Sequence, residues 1–181
     1  MVDGMETMDE GALLEVAQVL VESSPAAETE VIVDAQRDRF ARFAGSGPTQ
    51  SADRVMPHVM VRVRVERDGG LAEAQATCDR LDAGATRDAL TRALEFARFA
   101  PVSNELIPMG GSVAVPACVG DERALECGFD VMADWIERAI GACEGARLAP
   151  AGLAQVAYSS RCLVNSAGRS VSGSASRAAF S

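Results

Sequence analysis

The stretch "RFARFAGSGPTQSADRVMPHVMVRVRV", Arg39–Val65, decides how this chain folds. Its second half alternates strictly. Val59, Val61, Val63 and Val65 fall on one side, and His58, Met60, Arg62, Arg64 and Glu66 on the other. A period of two with β-branched residues is the signature of a half-buried strand. Ahead of it stand Gly45-Ser46-Gly47, and at its start His58, the only histidine. A phosphate-cradling loop needs glycines that open a helix, so that backbone N–H groups converge on the anion. Here Pro48 follows, then "TQSADR" and a strand, with no Gly-Lys-Ser/Thr. The glycines therefore read as a connection between strands.

Working outward, Asp68-Gly69-Gly70 is a strong hairpin signal, and "LAEAQATC" (71–78) is the returning strand. Upstream, "TEVIVDAQ" (29–36) and "RFARFA" (39–44) read as two strands, with Gln36-Arg37-Asp38-Arg39 as a tight turn. The result is a four-stranded, mostly antiparallel sheet with one polar face. Three helices are expected. The first spans 9–22, capped by Asp9, with Leu13, Val16, Ala17 and Leu20 as its stripe. The second spans 84–100, with Ala89, Leu90, Ala93, Leu94 and Ala97 buried against the valine face. The third spans 121–143, striped by Leu125, Phe129, Met132, Ile136, Ile140 and Cys143 and stopped by Gly141 and Gly145. A closing hairpin is expected at 153–164 and 169–180, around Asn165-Ser166-Ala167-Gly168.

The fold class is thus α+β: a mostly antiparallel sheet with helices packed on one face, followed by a helix and a β-hairpin that begin a second domain. The expected division is 1–105 as an N-terminal α/β domain, 106–120 as a Pro/Gly-rich linker, and 121–181 as the start of an incomplete central domain. The serine-rich last strand would leave an unpaired edge. That suggests either a fragment or a strand completed by a partner.

Composition narrows the function classes. The 181 residues carry a net charge of -9, are 48% hydrophobic, and contain no lysine. No cationic footprint is visible, so direct nucleic-acid binding is not expected. The acidic start "MVDGMETMDEGALLEV" is unlike a cationic signal peptide, and no apolar run reaches membrane-span length. Five widely spaced cysteines (Cys78, Cys118, Cys127, Cys143, Cys162) form no CxxC pair, which fits reduced thiols in a cytoplasmic protein. They read as buried small apolar residues, with Cys127 and Cys143 on one helix. A metalloprotease zinc site needs two or three close ligands and a carboxylate base. One histidine on a strand cannot supply that, so His58 reads as a solvated surface residue. Asp34, Asp53, Glu73 and Asp79 have no partner visible in the sequence. No catalytic, cofactor-binding or metal residue is assigned.

The segment "TEVIVDAQRDRFARFAGSGPTQSADRVMPHVMVRVRVERDGGLAEAQATCDRLDAGATRDALTRALEFARFAP" (29–101) resembles the N-terminal domain of the TldD/PmbA family. "RFAGSGPTQ" resembles that family's aromatic-Ala-Asn-Ser-x-x-x-Gln run, with Gly45 where Asn is frequent. The valine strand, Asp68-Gly69-Gly70, "RLD" and "ALEFARFAP" follow in order. "LVNSAGRSVSGSASRAAFS" (163–181) resembles the Asn-Ser-x-Gly hairpin that opens the family's second part. The resemblance implies zinc-dependent peptidases, also labelled modulators of DNA gyrase, that act as dimers on unstructured peptides. Their metal site is a His-Glu-x-x-x-His helix and a later Cys, downstream of that hairpin, and no residue here matches it. The implied role is a scaffold without a cofactor of its own, paired with a homologous subunit in a homo- or heterodimer. The alternatives are a non-catalytic partner subunit and a stand-alone protein-interaction module.

Overall fold

In the computed structural model, which describes residues 9–45, 47–116 and 118–181, the hairpin expected at 36–39 is absent. Strand β1 (Glu28–Ala44) runs unbroken for 17 residues. Its parity explains why. Val31, Val33, Ala35, Arg39, Ala41 and Phe43, all odd-numbered, are buried, so the alternation passes straight through the charged tetrapeptide. Of residues 36–39 only Asp38 favours a turn, and its carboxylate accepts from Gln155 instead, at 2.8 Å. The chain reverses instead at Gly45, whose φ of 61° is left-handed. Ser46 of the Gly45-Ser46-Gly47 loop lies outside the described residues. Strand β2 (Gly47–Arg67) is correspondingly longer than its valine half, at 21 residues.

Asp68 and Gly69, at φ 51° and 82°, then make a tight turn with both central residues left-handed, as a type I′ hairpin requires. Strand β3 (Gly70–Cys78) returns antiparallel, in a register that places Arg64 opposite Glu73 and Val61 opposite Ala76. A two-residue strand, β4 (Val102–Ser103), adds to β3. With β5 (Ala151–Asn165) and β6 (Ser170–Phe180), the sheet has six strands in the order β4-β3-β2-β1-β5-β6.

Helix α1 (Glu10–Ser23) is capped as expected: the Asp9 carboxylate accepts the Ala12 N–H at 3.0 Å. Helix α2 (Ala83–Ala97) starts the same way, with Asp82 accepting from Ala85 at 3.0 Å. It packs on β3 and touches α1. The third expected helix is two: α3 (Arg123–Glu126) and α4 (Phe129–Gly145). Gly128 between them is extended, so Cys127 lies in the break and not on one helix with Cys143. The helix also does not stop at Gly141. It runs through Gly145 and closes with Leu148 N–H on the Cys143 carbonyl (2.8 Å) and Arg147 N–H on Glu144 (2.9 Å). That is a Schellman stop, with Arg147 in the left-handed position at φ 58°.

The chain forms two compact units. The first comprises residues 1–35, 56–118 and 160–173, and the second 36–55, 119–159 and 174–181. In the first, Leu13, Ala17 and Leu20 of α1 and Ala89, Leu90 and Ala93 of α2 are buried, as are Val31, Val33, Val59, Val61 and Val63 of the sheet. In the second, Met132 and Ile136 of α4 pack with Ala41 and Phe43 of β1 and Ala154 and Val156 of β5. The serine alternation of β6 has a use there. Ser174 Oγ accepts the Gly120 N–H and Ser176 Oγ the Asp121 N–H, both at 3.0 Å. Gly120 sits so close that a Cβ would meet the Ala175 carbonyl carbon and the Tyr158 ring at 2.8 Å.

Arginine pays a steric penalty in the left-handed region that glycine does not. Arg147→Gly should therefore raise stability by about 0.5–1 kcal/mol, read as a higher urea midpoint at unchanged slope. An unchanged or lower midpoint would contradict the Schellman assignment.

Candidate functional site: the charged face of the sheet

In the first unit, the side of the sheet opposite the valines carries an ionic lattice. Arg64 is its centre, with only 9% of its side chain exposed. Its guanidinium donates to Glu73 (2.7 Å), to Glu28 (2.7 Å) and to the Ile107 carbonyl (2.7 Å). Burial opposes its charge, but the hydrogen bonds to Glu73 and Glu28 outweigh that and raise its pKa. Arg62 pairs with Glu30, and Arg161 with Asp34. Residues 107–111 are latched onto this lattice. The Met109 N–H donates to Glu28 (3.2 Å), Asn165 to the Gly110 carbonyl (3.0 Å), and Arg169 to Gly111 (3.1 Å). The expected Pro/Gly-rich linker is thus tied down over 107–111.

In the second unit, Asp53 receives a fork from Arg37 (3.0 and 2.8 Å) and a third bond from Arg39 (3.0 Å). The Arg37 hydrogen bonds, opposed by burial and aided by Arg39, hold its carboxyl down to about 2. Arg39 also donates to the carbonyls of Leu125 (2.7 Å) and Cys127 (2.8 Å). Those carbonyls flank the break between α3 and α4, where the helical ladder leaves acceptors free.

All four carboxylates without a visible partner therefore have a basic side chain beside them: Asp34 has Arg161, Asp53 has Arg37 and Arg39, Glu73 has Arg64, and Asp79 has His58. His58 Nδ1 lies 3.0 Å from Asp79, with side-chain exposures of 44% and 85%, which is a solvated pair. The Arg64–Glu73 and His58–Asp79 pairs follow from the Asp68-Gly69 turn, which sets the register that brings each together, whereas the other two depend on strands distant in sequence. The cysteines divide. Cys162 is buried and its thiol is pushed up to about 11 by desolvation. Cys118 is exposed, and Cys78, Cys127 and Cys143 are half-buried, so the expectation of buried small residues holds for Cys162 alone. All five are free thiols. Among the described residues, no three His, Cys, Asp or Glu side chains come together to hold a metal ion. Nor is any helix there long and apolar enough to cross a membrane. What this arrangement does is register strands and pin segments.

No family model and no curated protein matches the sequence. Solved structures do match. TldE from Thermococcus kodakarensis superposes with a TM-score of 0.75 at 16% identity, covering 91% of this chain and 37% of that one. A protein named as a modulator of a DNA gyrase from Thermotoga maritima gives 0.67 at 16% identity, covering 82% and 33%. A second so named, from Bacteroides thetaiotaomicron, gives 0.67 at 11% identity, covering 90% and 38%. The chain has the fold found in these TldE and gyrase-modulator structures, and it spans about a third of their length.

Two measurements test the lattice. Removing one partner of a buried ion pair leaves the others unpaired, whereas replacing the whole set can be nearly neutral. Arg64→Met should cost about 2–3 kcal/mol, and adding Glu28→Gln and Glu73→Gln should recover much of it. Urea unfolding of the single and triple variants checks both. For Asp53, the native pKa lies below its ordinary value, so its ionised form stabilises the fold above about pH 3.8. That contribution is lost as pH falls through about 2. The gap in urea midpoint between wild type and Asp53→Asn should be constant near neutrality and close on acidification through that window.

Proposed function

We propose that this chain is the N-terminal scaffold part of a TldD/PmbA-like cytoplasmic metallopeptidase acting on unstructured peptides, with the zinc site outside these 181 residues. The observation that carries the reading is the TldE superposition, nine-tenths of this chain against little more than a third of that one. The motif order along residues 29–101 and 163–181 supports it independently. The described residues do not offer a metal site, so no hydrolytic step is routed through them. Their part is to hold the sheet and its straps rigid beside a chamber built elsewhere. The working form is a homo- or heterodimer with a homologous subunit, and it contacts no nucleic acid directly.

The test is to express the complete open reading frame of the source gene and measure bound zinc and hydrolysis of a flexible peptide. The expected result is stoichiometric zinc and cleavage that a chelator abolishes, with no cleavage by residues 1–181 alone. Chelator-sensitive cleavage by the isolated chain would refute the scaffold role. A metal-free, inactive product that binds a homologous zinc-bearing subunit would make the protein the non-catalytic partner instead.

A further inference from the structure

The second unit holds a patch whose charges are not compensated as those of the first unit are. Phe40 of β1 is buried, and two guanidinium groups lie over its ring: Arg42 at 5.6 Å and Arg54 at 5.4 Å from the centroid. Arg42 makes one long hydrogen bond, 3.4 Å, to Gln50, and both arginines are exposed. Neither has a carboxylate among the described ion pairs, whereas Arg62, Arg64 and Arg161 each have one or two. Gln155 of β5 donates to Asp38 of β1 at 2.8 Å, which puts the odd-numbered residues of β5 on the Phe40 side. The reciprocal bonds of Leu153 and Ser181 set β6 so that Arg177 stands opposite Ala157, on that same side. Arg177 is exposed as well. Three arginines thus share this face with one aspartate, in a chain whose net charge is -9.

We propose that this face, built on Phe40, Arg42, Arg54 and Arg177, is a docking site for an acidic, extended segment of a partner polypeptide. Charge complementarity names the occupant. A local cationic excess on an acidic protein attracts carboxylates, and guanidinium forks match carboxylates in geometry. Cation–π contact with Phe40 holds two of the forks in place before binding, which lowers the ordering cost of capturing a ligand. A sheet face suits an extended chain, whose alternate side chains project to one side. A second copy of this chain is a poorer occupant, because two molecules of charge -9 repel one another.

The experiment uses a fluorescein-labelled peptide of alternating Glu and Gly, its Gln-for-Glu counterpart, and fluorescence anisotropy with wild type and Arg42→Gln/Arg54→Gln. The expected result is binding of the Glu peptide only, weakened about tenfold or more by the double variant and by raising salt from about 0.05 to 0.2 M. Circular dichroism and the urea midpoint of the double variant confirm that it folds. Arg87→Gln/Arg98→Gln, which removes two arginines elsewhere, should bind as wild type does. Equal binding of both peptides, or of wild type and the Arg42/Arg54 variant, would overturn the proposal. So would self-association in sedimentation that the double variant abolishes, because the face would then be covered by a second copy.

Discussion

Register between two very long strands is the constraint on which the rest depends. β1 and β2 have 17 and 21 residues and run through both compact units, so a slip by one residue would turn out every core side chain they carry. The alternation itself opposes that slip but not one by two residues, since Val59, Val61 and Val63 are interchangeable in shape. Cross-strand ion pairs are not interchangeable. Arg64 between Glu28 and Glu73, Arg62 on Glu30, and Arg37 and Arg39 on Asp53 each fit in one register only. The buried pairs are worth less as net stability than as selectors among registers, because desolvation offsets much of their attraction.

The arginines also finish what the helices leave open. Arg67 donates to the Ala97, Arg98 and Ala100 carbonyls at the end of α2, and Arg39 to those of Leu125 and Cys127. One planar guanidinium can serve a carboxylate and a carbonyl together, as Arg39 and Arg64 do. An ammonium offers no such fixed fork. The absence of lysine, which by itself reads as coding bias, is therefore exploited by the fold.

This use of arginine explains which parts of the fold were legible in the sequence. Helices α1 and α2 were, because Asp9 and the apolar stripes are local signals. The Asp68-Gly69 turn and the alternation of 58–66 were legible for the same reason. The glycine connection between β1 and β2 was legible too, but the unbroken run of β1 through residues 36–39 was not. Gln36-Arg37-Asp38-Arg39 looks like a solvated turn until Asp53, 16 and 14 residues away from Arg37 and Arg39, is seen to neutralise both. The break at Gly128 was hidden likewise, since the cation that satisfies its carbonyls comes from residue 39. The pairing of Asp34 with Arg161 spans 127 residues and depends on β5 lying beside β1, which no local pattern announces.

A carboxylate poised for acid–base work needs an environment that leaves its proton negotiable near neutral pH. Asp53 is driven the other way, down to about 2, and Glu28 and Glu73 are committed to a buried guanidinium. His58 meets Asp79 through Nδ1, and both side chains are solvated. Asp53, Glu28 and Glu73 serve strand registration instead. The face around Phe40 differs from these pairs, because Arg42 and Arg54 are organised by an aromatic ring and not by a carboxylate.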